Sequence, residues 1–221
     1  MTLLEAMQAR HSVRKYLDRP IEADTLQALT AEVERCNRES GLNIQLVTEE
    51  PEAFRGFLAS YGMLKGVRNY FALVGKNTLD LEEQVGYYGE RLVLQAQMLG
   101  LNTCWVGASY SRRKARIHVG SEERLVCVIA LGHGADEGRP HKNRPLESLC
   151  RADEPIPDWF RRGMDAVLLA PTAINQQKFL FTLQGNTVRA EAKPGPYSKV
   201  DLGIAKYHFE MGAGVDNFKW I

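Results

Sequence analysis

The run from Leu79 to Leu99 constrains the fold more than any other stretch of the chain. Leu81, Val85, Tyr88, Leu92, Gln95 and Leu99 recur at spacings of three and four, the period of one face of an α-helix. Gly100 follows where a glycine commonly ends a helix in left-handed backbone. Short apolar runs flank this helix: Tyr70 to Val74 before it, Asn102 to Val106 directly after it, and Leu125 to Leu131 further on. A long helix bordered by strands must bury its stripe on a sheet, which predicts a layered α/β or α+β domain. The chain has 221 residues, enough to bury such a core without covalent staples.

The rest of the sequence fills in the layers. Thr2 and Glu5 have capping-box spacing and open a short helix. Arg10 to Tyr16 has no helical stripe and reads as extended. A helix from about Asp24 to Arg35 carries Leu26, Leu29 and Val33 on one side, and Asn43 to Thr48 alternates like a half-buried strand. From Gly132 to Pro157 glycine, proline and charge replace periodicity, which predicts a connecting arm. Beyond it come a helix from Trp159 to Leu169 and a loop at Ala170 to Ala173. Two strands, Phe179 to Leu183 and Thr187 to Ala192, are joined by a Gln-Gly-Asn hairpin turn. A last helix spans Asp201 to Met211.

Composition removes several functional classes. Lys and Arg number 28 against 27 Asp and Glu, a net charge of +1, which does not suit a protein that coats nucleic acid or an anionic membrane. No apolar run reaches the roughly 18 residues of a membrane span. The N-terminus lacks the apolar core of a signal peptide. Cys36, Cys104, Cys127 and Cys150 form no C-x-x-C pair, so a reduced, cytoplasmic compartment is the simplest expectation. Gly132-His133-Gly134 is a near miss for a dinucleotide turn, because Gly138 is one residue late and no helix follows. The five histidines have no metal-ligand spacing, and G-x-S-x-G is missing. No metal is expected.

Arg10-His11-Ser12-Val13-Arg14-Lys15 is the most informative short stretch. In an extended segment Arg10, Ser12 and Arg14 share a face while Val13 points to the core. Two guanidiniums and a hydroxyl can clamp a phosphate through forked, charge-assisted bonds. The same residues would also serve as a solvated basic edge strand. Arg139, His141, Lys142 and Arg144 form a second basic cluster after the strand Leu125 to Leu131.

Taken in order, these stretches resemble the flavin-dependent nitroreductase family. The resemblance rests on Arg10 to Tyr16, on Leu99-Gly100-Leu101-Asn102-Thr103-Cys104-Trp105-Val106-Gly107, and on Val128 to Gly134 with the arm Lys142-Asn143-Arg144-Pro145-Leu146. The fourth stretch is Ala170-Pro171-Thr172-Ala173-Ile174-Asn175-Gln176-Gln177. In ordinary members that last motif lies soon after the arginine stretch. Here the corresponding place, Cys36 to Gln45, lacks the proline, and the good copy comes over a hundred residues later. The sequence therefore resembles a single-chain subfamily with two fused halves, residues 1–150 and 151–221, the second reduced in size.

The resemblance implies an α+β fold, with mostly antiparallel sheets flanked by helices and two halves that mimic the family homodimer. It implies flavin mononucleotide (FMN) as cofactor, NAD(P)H as electron donor, and ping-pong reduction of nitroaromatic or quinone-like compounds. It assigns Arg10, Ser12, Lys142 and Arg144 to the phosphate, with Arg14 and His11 as helpers. Backbone around Val106, Gly107 and Ala108 would lie beside the isoalloxazine, glycine permitting close approach. Pro171, Thr172, Ala173 and Asn175 would close the site, although Asn175 also fits as a loop cap. No side chain is singled out as the catalytic proton donor. The partner is a small molecule, with no nucleic acid and no membrane, and the fused layout removes the usual reason to dimerise. The alternative is a flavin-binding sensor or storage protein without turnover.

Overall fold

The computed structural model of the chain describes residues 1–57, 63–152 and 155–221. The capping box forms as expected: Glu5 N–H donates to the Thr2 hydroxyl, and Thr2 N–H to the Glu5 carboxylate. It opens α1 (Leu3–Ala9). Helix α2 (Ala23–Ser40) runs five residues past its expected end and stops at Gly41, whose φ is +72°. The Asn37 side chain then bonds both backbone groups of Ile44, which turns the chain into β1 (Gln45–Val47).

Four strands form the first sheet, in the order β1–β2–β4–β3, with every pair antiparallel. They are β1, β2 (Asn69–Lys76), β3 (Asn102–Val106) and β4 (Glu123–Gly132). β2 and β4 are almost wholly buried, so they read as continuous apolar runs rather than alternating ones. The segment from Arg10 to Tyr16 is extended, as expected. Its Ser12 bridges Thr103 at the outer edge of β3, and Val13 N–H donates to the Thr103 carbonyl.

Helix α3 (Leu81–Met98) lies across this sheet. Leu79, placed inside the helix by its spacing, sits outside it and is exposed. The buried face is broader than the single expected stripe. Gly86, Gly89, Glu90, Val93, Leu94 and Ala96 are covered as well, because α3 packs on the sheet with one side and on a second helix with another.

That second helix, α5 (Ser198–Ala213), belongs to the C-terminal part of the chain. It follows α4 (Asp158–Val167) and the hairpin β6 (Phe179–Gln184) and β7 (Thr187–Ala192), whose two-residue turn is Gly185-Asn186. The arm is more structured than its composition suggests. It contains a 3-10 turn at Leu146–Ser148 and ends in β5 (Cys150–Arg151), parallel to β6. After α5 the chain adds β8 (Lys219–Trp220) parallel to β7. The second sheet thus runs β5–β6–β7–β8, and neither outer strand was visible in the sequence. Phe160, Phe179, Phe181, Phe209 and Phe218 pack between this sheet and its helices in one apolar core with Phe71, Leu73, Val85 and Leu92 of the first part.

The crossing of α3 and α5 is reciprocal. A Cβ on Gly86 would stand 2.0 Å from the Val200 carbonyl oxygen, three residues before Gly203. A Cβ on Gly203 would stand 1.9 Å from the Glu83 carbonyl oxygen, three residues before Gly86. Each glycine lets the other helix's backbone come within contact.

Among the described residues no helix is long and apolar enough to cross a membrane, and no group of three His, Cys, Asp or Glu side chains could hold a metal ion. All four cysteines are free.

Candidate functional site

Two adjoining cavities, each of about 440 Å³, form one cleft between the N-terminal segment, the end of β3 and the C-terminal part. Ser12, Arg14, Pro171, Thr172 and Ile174 line both. The first cavity is largely apolar and is walled by Cys104 to Ser109 and by Pro196, Tyr197, Val200, Asp201 and Ile204. The second is basic and adds Arg10, Lys15, Arg139, His141 and Asn175.

The expected site residues separate into three groups. Arg10, Ser12 and Arg14 do share the cleft, as do Val106, Gly107 and Ala108, and Pro171, Thr172, Ala173 and Asn175. His11 lines neither cavity and packs against Gly138, where a Cβ would come 2.8 Å from the His11 Cβ. Lys142 and Arg144 also line neither, and their side chains are exposed. The arm instead turns Arg139 and His141 into the basic cavity. His141 Nε2 lies 3.0 Å from the Leu168 carbonyl, and burial holds its pKa below the ordinary histidine value.

A staple accounts for this turn of the arm. Gln177 is buried, and its amide nitrogen donates to the Lys142 carbonyl at 2.9 Å while its oxygen accepts from the Arg144 N–H at 2.9 Å. Asn175 donates to the same Lys142 carbonyl at 2.8 Å. Both residues therefore tie the arm to the Pro171 loop. The loop is held in a costly form: Ile174, Asn175 and Gln177 have φ of 48°, 55° and 45°. Left-handed backbone at non-glycine residues persists only where surrounding contacts impose it.

Gly107 also has a reason to be glycine within the chain itself. A Cβ there would meet the Tyr197 ring at 2.6 Å. The Tyr197 hydroxyl donates to the Gly107 carbonyl at 2.9 Å, joining the C-terminal part to the end of β3.

Arg10 is 3% exposed, and its Nε has no hydrogen-bond partner. Its neighbour is Glu90, whose Oε1 lies 3.9 Å from that nitrogen. Burial pulls the guanidinium pKa down and Glu90 pulls it up. Glu90 and His208 are both fully buried, and their pairing depends on two helices that meet only in the fold. His208 Nδ1 stands 3.0 Å from the Ala166 carbonyl, which can only accept, so that nitrogen carries a proton. Nε2 meets Glu90 Oε1 at 3.0 Å, and the Trp105 indole N–H donates to Oε2 at 3.0 Å. Glu90 thus links the arginine of the basic cavity to a wall of the apolar one.

Asp201, another residue not singled out from sequence, is a buried carboxylate in the apolar cavity. It accepts from the Ala173 N–H at 2.9 Å and from Gln176 Nε2 at 2.7 Å. Both bonds favour the anion, but desolvation outweighs them and raises the pKa from 3.8 to about 6. A carboxyl whose folded pKa lies above its unfolded one contributes stability that is complete below the unfolded value. That contribution disappears as pH rises through about 6. In Asp201→Asn this titration is gone. Chemical denaturation from about pH 4 to about pH 8 should show the wild type losing on the order of 2 kcal/mol more stability than the variant. Parallel pH profiles for the two proteins would contradict the assignment.

The comparisons with known proteins agree on one family. The model of the family described as "Putative TM nitroreductase" matches residues 2–213. A solved Thermotoga maritima protein of similar description shares 22% identity over 99% of this chain and 87% of its own, with a TM-score of 0.66. A Desulfovibrio desulfuricans protein of that description, solved in complex with FMN, shares 19% identity over 71% of this chain and 99% of its own, with a TM-score of 0.55. An FMN-dependent nitroreductase from Clostridium difficile shares 18% identity over 62% and 90%, with a TM-score of 0.50. No curated protein matches the chain. With the family match spanning nearly its whole length, this chain belongs to the nitroreductase family.

Proposed function

We propose that the chain binds FMN in the cleft and works as an FMN-dependent NAD(P)H oxidoreductase on nitroaromatic or quinone-like compounds. Arg10 carries the reading. A buried guanidinium with an unpaired nitrogen is costly unless a partner reaches it, and this one lines a cavity rich in cations. A phosphate monoester fits that donor set, with the Ser12 hydroxyl and Arg14 beside it. The solved relatives named for FMN support the same cofactor.

Held there, FMN would supply the hydride-transfer chemistry between a nicotinamide and a second substrate, consistent with ping-pong order. The chain's own residues do the placing. Arg10, Ser12 and Arg14 hold the phosphate end. The backbone from Val106 to Ala108 lines the ring end, and Pro171, Thr172 and Ala173 close it from the other side. The apolar walls at Trp105, Val200 and Ile204 keep water from the reacting face.

We also read residues 1–150 and 151–221 as two fused halves standing in for two subunits. The reciprocal glycines of α3 and α5 support this, since the same contact made in both directions is the mark of a two-fold interface. So does a cleft with one wall from each half. A monomer follows from this reading, and the free cysteines support a cytoplasmic setting.

The absorption spectrum is the test. The purified protein should be yellow and should release FMN on acid treatment, and NADH or NADPH should bleach it without air. A colourless protein that takes up no added FMN rejects the proposal. Bound FMN that stays oxidised with both nucleotides leaves a binding protein and rejects the reductase.

A further inference from the structure

We propose that His208 is a positioning residue for the cofactor phosphate: it shares one proton with Glu90, so the buried pair carries no net charge and the charge of Arg10 is left for the ligand. This rests on the flavin reading above. Arg10 caps the end of α1, Glu90 lies on α3 and His208 on α5. The hydrogen bonds of the pair fix its charge. Nδ1 of His208 donates to the Ala166 carbonyl and so keeps its proton. Nε2 and Glu90 Oε1 are 3.0 Å apart, a distance at which two lone pairs repel, so a second proton lies between them. It makes either an imidazolium facing a carboxylate or an imidazole facing a carboxyl, and the sum is zero in both forms. The Trp105 indole N–H on Oε2 adds a donor and no charge.

Arg10 is therefore a buried cation without an anion of its own. Glu90 Oε1 lies 3.9 Å from its Nε, beyond hydrogen-bond reach, and is already taken by His208. The Arg10 pKa moves accordingly, since desolvation lowers it more than Glu90 raises it. Asp136, the carboxylate lining the basic cavity, is exposed and accepts from the Gly138 N–H at 2.9 Å. A buried cation of this kind is costly until an anion reaches it, and a phosphate monoester brings about −1.5 to −2 at neutral pH. Without the charge that His208 brings to the pair, Glu90 would be that anion and would compete with the phosphate for Arg10. His208 acts through Glu90, so a residue of the C-terminal part governs the phosphate end held by the N-terminal part.

The test titrates FMN and riboflavin into the flavin-free chain and reads the ratio of their affinities, which isolates the phosphate. In His208→Gln the amide can still donate to Glu90 but brings no charge. Glu90 then turns its charge on Arg10, and the preference for FMN should fall about tenfold or more, with riboflavin unchanged. Glu90→Gln/His208→Gln removes that charge and should restore the ratio to within about threefold of wild type. Glu90→Gln alone, close in shape and able to keep both bonds, should also stay within about threefold, because the charge it removes is already cancelled. An unchanged ratio in His208→Gln, equal loss of both ligands, or no rescue in the double variant would overturn the proposal. Should His208→Gln not fold, Glu90→Gln decides alone: a larger change in the ratio would mean that Glu90 neutralises Arg10 in the wild type. A wild type that takes up no FMN fails the flavin reading by itself, and inorganic phosphate, followed by ³¹P line broadening, then carries the same comparison of variants. A wild type that binds neither overturns both.

Discussion

Gly203→Ala should lower the stability of the protein by several kcal/mol, although alanine is the better helix former. Inside an exposed helix the same change would gain about 1 kcal/mol. Here the new methyl would lie 1.9 Å from the Glu83 carbonyl oxygen and 2.8 Å from the Tyr87 nitrogen. Both are backbone atoms of α3 and cannot rotate away. Relief requires α5 to move off α3, and overpacking of that kind typically costs 1–3 kcal/mol, occasionally more. The motion also pulls on the site, because α5 carries Asp201 and follows directly on Tyr197. Gly86→Ala should behave alike, with its methyl 2.0 Å from the Val200 carbonyl oxygen. The double variant should cost less than the two single losses added, since one separation of the helices relieves both clashes. Urea denaturation of the three variants checks this. Wild-type midpoints in both single variants would mean that the helices do not cross this closely.

That crossing shows what the sequence could and could not reveal. The stripe of α3 was legible because Leu81, Val85 and Leu92 repeat at helical spacing, and its length and its end at Gly100 followed. The burial of Gly86, Gly89 and Glu90 was not, since it depends on a second helix over a hundred residues away. The hairpin β6–β7 was legible from its turn, whereas β5 and β8 are two-residue strands that exist only because β6 and β7 offer them edges. In the site, the segment from Arg10 to Tyr16 and the Pro171 loop announced themselves as charge and turn chemistry. Lys142 and Arg144 looked as suitable for a phosphate as Arg139 does. Gln177 bonds the backbone of both, and their side chains are exposed and line neither cavity, an arrangement that only the packing of the arm reveals. Nothing in their spacing links Glu90 and His208, and only the packing of α3 on α5 makes them a buried pair.

Arg10→Met should weaken FMN binding by about one to two orders of magnitude while the fold survives. The fold survives because Glu90 keeps the Trp105 hydrogen bond and its contact with His208 when Arg10 leaves. The affinity falls because a charge-assisted hydrogen bond contributes about 1.5–3 kcal/mol, and each 1.4 kcal/mol is tenfold in Kd. Desolvation sharpens the effect, since the guanidinium is almost fully buried and water cannot take its place. Arg10→Lys should recover only part of the loss: its ammonium keeps the charge but not the planar fork. Riboflavin, which lacks the phosphate, separates this role from a general disturbance of the cleft. If Arg10 meets the phosphate, Arg10→Met weakens FMN and leaves riboflavin almost unchanged in a fluorescence titration. If both ligands weaken together, Arg10 supports the cleft through Glu90 and Trp105, and the phosphate must be held by the exposed cations of Arg14, Lys15 and the arm.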